Sequence, residues 1–98
     1  MSELSNKTII SSAAAAIANG EKADKAGKEL SVAVWDFVRP LYLKDDPAEG
    51  AKELAADEAS PSTPATVEKI IALLSDHLRE NTEAANQLQH ILEKRGGL

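Results

Sequence analysis

Two histidines, His77 and His90, are the side chains of this chain whose ordinary pKa best suits proton transfer or metal binding near neutral pH. They are far apart, and neither has a second histidine three or four residues away. The residues three before them are Leu74 and Gln87, so the Glu-x-x-His pair of di-iron bundles is missing. The spacings of zinc sites and metalloproteases are missing too. The reading is therefore no metal and no cofactor, with His77 at the edge of a core and His90 facing water. Carboxylates pair at Asp45-Asp46 and Asp57-Glu58. Acid–base work would require one of each pair to be desolvated. Nothing beside them in sequence is apolar enough, so they read as caps and solvated faces, or as an acidic docking patch for a basic partner. Serine and threonine are plentiful, yet no Gly-x-Ser-x-Gly elbow frames any of them. The five glycines are too scattered to cradle a phosphate. Ser60-Pro61 and Thr63-Pro64 have the form of phosphorylation sites but read more simply as turn and cap residues. The sequence thus predicts no catalytic residue and no enzyme.

The remaining chemistry-bearing cluster is Trp35, Arg39 and Tyr42, with Phe37 between them. Tryptophan, tyrosine and arginine together carry much of the energy of protein interfaces. A core also needs aromatics, and these are the only three here. Trp35 and Phe37 project about 200° apart on a helix, so one is expected inside and the other outside. Phe37 aligns with the main stripe of its helix and is expected inside. Trp35 aligns with Val32 and Val38 on a second apolar face. Partner-binding candidates are therefore Trp35, Arg39, Tyr42, Asp45, Asp46, Asp57 and Glu58.

Composition limits what these residues can serve. Ninety-eight residues make one domain, 1–98, with a small core. No cysteine is present, which removes disulfides and thiolate metal sites. The formal net charge of −5 disfavours binding to nucleic acid or to an anionic membrane surface. The longest apolar run, 13–18, is too short to span a bilayer, and Met-Ser-Glu-Leu carries no basic leader, so the expected compartment is cytoplasmic. Alanine (17) and leucine (11) dominate, and no stretch alternates with period two. Both facts favour helix over sheet.

Five helices are predicted, at about 5–19, 22–43, 47–58, 64–80 and 82–95. In the first, Ile10, Ala13, Ala14 and Ile17 form an apolar face, and Asn19-Gly20 stops it through a left-handed glycine. In the second, Ala23, Ala26, Leu30, Ala33/Val34, Phe37 and Leu41 share a face, and Pro40 implies a kink or stop near Val38-Arg39. Asp46-Pro47-Ala48-Glu49 is a capping-box start. The short helix that follows should turn Ala51, Leu54 and Ala55 inward, with Gly50 a weak point. Thr63-Pro64 caps the fourth helix.

From Val67 a stripe runs through Ile71, Leu74, Leu78, Asn81, Ala85, Leu88 and Leu92 in heptad steps. Asn81 admits two readings: a buried polar residue fixing register in one continuous coiled coil, or the N-cap of a new helix. The positions beside the seam are Ile70, His77, Ala84 and Ile91. Three of the four are apolar, which widens the stripe to the arc of a globular bundle rather than a two-stranded zipper. Gly96-Gly97 ends the last helix. The fold class is all-α, a compact bundle of four to five short helices.

Several segments in order carry a resemblance. A small-residue helix leads into Lys25-Ala26-Gly27-Lys28-Glu29-Leu30 and then Val34-Trp35-Asp36-Phe37-Val38-Arg39-Pro40-Leu41. An alanine-rich helix with Ala51, Leu54 and Ala55 follows. A leucine-rich pair broken at Asn81 comes last, with Glu83-Ala84-Ala85 and Leu88-x-x-Ile91-Leu92. Over residues 9–92 this order resembles the effector-associated or death-like adaptor modules of bacterial defence and signalling proteins. The resemblance implies a non-enzymatic module that pairs with itself or a like helical module as a homo-oligomer or hetero-oligomer. It implies either a stand-alone adaptor or an excised module, and leaves the partner open. The alternatives are a small acidic inhibitor of phage or antitoxin type covering a basic surface, and a small enzyme or ligand carrier.

Overall fold

Each helix in this protein is started by a side chain that can accept a hydrogen bond. The computed structural model describes residues 5–95. The leader expected to be absent at residues 1–4 and the cap at Gly96-Gly97 lie outside the described residues. Among the described residues there are five helices: α1 (Asn6–Asn19), α2 (Lys25–Tyr42), α3 (Pro47–Ala59), α4 (Pro64–Glu80) and α5 (Thr82–Lys94), with a 3₁₀ turn at Gly20–Lys22. No strand occurs among the described residues, and the fold is an all-α bundle. Ser5, Asp24, Asp46, Thr63 and Asn81 accept from the backbone N–H of Thr8, Gly27, Glu49, Thr66 and Ala84 at 2.9–3.4 Å. Each such cap stabilises its helix by about 0.5–2 kcal/mol. Asn81 is therefore the boundary between α4 and α5, exposed at its Asn81–Ala84 cap, and not a buried register residue.

The core is organised around α1, which packs against α2, α4 and α5. Its buried side chains are Ile9, Ile10, Ala13, Ala14 and Ile17. Alanine at two of those positions lets the neighbouring helices come close. Around it lie Leu30, Val34, Trp35 and Val38 from α2, Ile70, Leu74 and Leu78 from α4, and Ala84, Ala85, Leu88 and Leu92 from α5. Burying each of the large aliphatic side chains stabilises the fold by roughly 1.5–3 kcal/mol. Helix α3 stands outside this group. It packs on α2 and buries only Gly50 and Leu54 along its length.

Several expectations are corrected by this packing. Helix α2 begins at Lys25 behind the Asp24 cap, not near residue 22. Gly20 is right-handed, with φ −59°, so it does not stop α1 by left-handed geometry. It is glycine because a Cβ there would stand 2.5 Å from Ser31 Oγ. Pro40 does not stop α2, which runs on to Tyr42. Proline in the last turn removes one bond, to the Asp36 carbonyl, on an exposed side where water can serve it. The buried face of α2 is Leu30, Ser31, Val34, Trp35, Val38 and Tyr42, while Ala26 is exposed and Phe37 only half-buried. On α3, Ala51 and Ala55 face water. On α4 the seam passes through Ile70, and Ile71 is 38% exposed. Ile70, Leu74 and Leu78 lie on one four-residue ridge, and Ile71 is turned about 100° from it.

Candidate interaction surface

Most of the polar residues singled out in the sequence are committed within the fold, and a separate group of residues faces outward. The committed group joins α2, α3 and α4. Tyr42, 6% exposed at the end of α2, donates its hydroxyl to Asp57 Oδ2 at 2.6 Å. Thr66, at the start of α4, donates to the other Asp57 oxygen at 3.3 Å. Lys69 on α4 pairs with Glu53 on α3 and lies 5.9 Å from the centre of the Tyr42 ring, within cation–π range. Arg39 bonds Asp36 one turn back at 2.7 Å and Glu58 on α3 at 3.3 Å.

The electrostatics follow from these contacts. Burial, then the bond to Asp57 and the nearby carboxylates, push the Tyr42 phenol well above its ordinary pKa, so it stays protonated and donates. The hydrogen bond that Arg39 donates to Asp36 raises its guanidinium above its ordinary value, against a smaller opposing effect of burial. Arg39 is a permanent cation. Among the described residues no buried side-chain nitrogen or oxygen lacks a hydrogen-bond partner. These groups act as braces that hold α3, an element with little apolar burial of its own, against its neighbours.

Trp35 also belongs to the interior. It is 7% exposed, and its ring lies 6.4 Å from that of Tyr42 at a tilt of 41°. The aromatic cluster expected as a surface anchor is thus divided. Trp35 and Tyr42 lie in the core because they fall on the same face as Val34 and Val38. Phe37 sits at its flank, edge-on to His77 at 6.1 Å. The four carboxylates are divided as well. Asp46 caps α3, Asp57 holds Tyr42 and Thr66, Glu58 meets Arg39, and Asp45 is exposed. No single acidic patch results. His77 is half-buried and His90 exposed, on different helices. Among the described residues no three histidine or carboxylate side chains gather as a metal site.

The outward group is centred on a residue that the sequence did not single out as a site. Val32 is 59% exposed at the crest of α2. Grooves run along both sides of it. The larger, about 680 Å³, is lined by Lys25, Lys28, Glu29, Ala33 and Asp36 from α2 and Arg95 from the end of α5. The other passes between Lys28, Ser31 and Trp35 and reaches Pro61. An apolar residue rimmed by charges of both signs is the composition of a protein contact, with a dry centre and a polar edge. A sequence signal existed: Val32 is the apolar residue farthest from the Leu30–Val34–Val38 face. No family model matches the chain, and neither a curated protein nor a solved structure is similar to it.

Proposed function

We propose that this protein is a non-catalytic interaction module that associates with another protein through an outer helical face, in the manner of an adaptor. One observation carries the reading: the Val32 crest, a largely exposed β-branched side chain in an open groove edged by lysines and carboxylates. The distribution of polar groups supports it. The tyrosine, the Arg39 guanidinium, Asp57 and Glu58 are engaged in holding helices together. The order of helical segments, which resembles effector-associated and death-like modules, supports a setting in bacterial defence signalling. The inhibitor alternative rests on Asp45, Asp46, Asp57 and Glu58, three of which have partners within the fold.

The test combines light scattering over a concentration series with recovery of cross-linked partners on the native chain and on Val32→Glu. Val32 is exposed, so the variant should fold as the native chain does, within about 0.5 kcal/mol. The reading expects association with itself or with a recovered partner, lost in the variant. A native chain that stays monomeric and recovers nothing sensitive to Val32→Glu overturns it.

A further inference from the structure

We infer that the occupant of the Val32 face is a second copy of this chain, its α2 lying antiparallel across the first about a two-fold axis next to Val32. The inference rests on the interaction-module reading and adds the identity of the partner and the register.

The charge pattern along α2 selects this occupant. Lys28 and Asp36 lie four residues before and four after Val32. At 1.5 Å per residue each is about 6 Å from Val32 along the axis, in opposite directions. Reversing one helix against the other about Val32 places Lys28 of each copy at the level of Asp36 of the other, twice over. The two Val32 side chains then cover each other. This is the self-complementarity that a two-fold interface demands. A parallel arrangement in the same register would set lysine against lysine and aspartate against aspartate.

The local surroundings are compatible with that pairing. Asp36 is exposed, and its bond to Arg39 uses Oδ1 alone, leaving Oδ2 without a side-chain bond. Arg39 lies at the same level as Lys25 of the other copy, a like charge, but its guanidinium is drawn towards α3 by Glu58. Lys25 lies one turn from Lys28 and adds a second cation near the incoming Asp36. Glu29 is an unfavourable neighbour of that carboxylate, offset by Lys25 one turn before it and by Arg95 along the same groove. Ala33 beside Val32 keeps the groove open to the facing helix. One helix face is a small interface, so the dimer is expected to form at high micromolar concentration and to weaken with salt.

The experiment is sedimentation equilibrium on the full chain and on charge-reversed variants, each first checked for native helicity by circular dichroism. The native chain should approach twice the monomer mass as concentration rises. Lys28→Glu alone and Asp36→Lys alone should each weaken self-association by about tenfold or more, since each converts two attractive pairs into two repulsive ones. An equimolar mixture of the two single variants should recover association as a heterodimer, and the double variant should recover it as a homodimer. Glu29→Gln should tighten the native dimer. A native chain that remains monomeric at millimolar concentration overturns the inference. So does a dimer that Lys28→Glu leaves intact or that mixing fails to restore. Recovery of a different partner sensitive to Val32→Glu, from a chain that does not self-associate, would remove the dimer and leave the module reading in place. Failure of both would remove both.

Discussion

Replacing Gly50 by alanine should destabilise this protein, although helix propensity alone gives the opposite sign. Gly50 lies inside α3, where alanine is favoured over glycine by about 1 kcal/mol. A Cβ at this position would stand 1.9 Å from the Tyr42 carbonyl oxygen and 2.8 Å from its carbon. Both atoms belong to the backbone at the end of α2, so no rotamer change can relieve the clash. Helix α3 must move off α2 instead. That movement disturbs Leu54, which is 7% exposed and whose burial stabilises by roughly 1.5–3 kcal/mol. It also strains the Tyr42–Asp57 bond, which contributes about 1 kcal/mol. Against the propensity gain, a net loss of about 1.5–3 kcal/mol is expected. For a domain of this size that lowers the melting temperature by about 10–20 °C. Thermal melts of the native chain and Gly50→Ala, followed by far-ultraviolet circular dichroism, measure it. An unchanged or raised melting temperature would refute the argument that glycine is required here for the close approach of α3 to α2.

Other outcomes follow from the same structure. Asn81→Ala removes the acceptor for the Ala84 N–H and should lower the unfolding free energy by about 1 kcal/mol in urea titration, with little change in the slope. Leu74→Ala, at a fully buried position on α4, should lose about 2–5 kcal/mol, a large share of the stability of a domain this small, and chemical denaturation will show it. The folded-state pKa of Tyr42 is raised, so its contribution to stability is complete below the unfolded phenol pKa of about 10 and declines as pH climbs above it. Tyr42→Phe should flatten that alkaline decline, as read from melting temperatures across the pH range, and should lower stability at neutral pH by about 1 kcal/mol.

The parts of this fold legible in the sequence were those decided within a few residues. Asp46-Pro47, Thr63-Pro64 and Asn81-Thr82 mark helix starts because a cap side chain and the N–H that donates to it lie three residues apart in the chain. The helical phase was less legible wherever apolar residues occupy more than one face. On α2, Phe37 and Leu41 form one stripe and Trp35 and Val38 another. The core took the second, together with Leu30 and Val34. On α4 the adjacent isoleucines 70 and 71 both fit the periodicity, and only the direction of α1 separates them. Asp24 as the α2 cap was hidden among charges that look equally soluble. The Tyr42–Asp57–Thr66 brace joins three helices through residues distant in sequence, so no local pattern announces it. Val32 was visible as an apolar residue, but its prominence depends on which face α2 turns inward.

Helix α1 is the first of the five in the chain, yet its neighbours include the last two. During synthesis its three buried isoleucines, Ile9, Ile10 and Ile17, stay only partly covered until the residues through Leu92 have left the ribosome. An alanine-rich stretch is well suited to that delay, because Ala13 and Ala14 offer a chaperone or a stray hydrophobic chain little to hold, whereas leucines there would be adhesive. The same small side chains that let three helices crowd around the axis therefore keep the nascent chain quiet before there is anything to crowd around it.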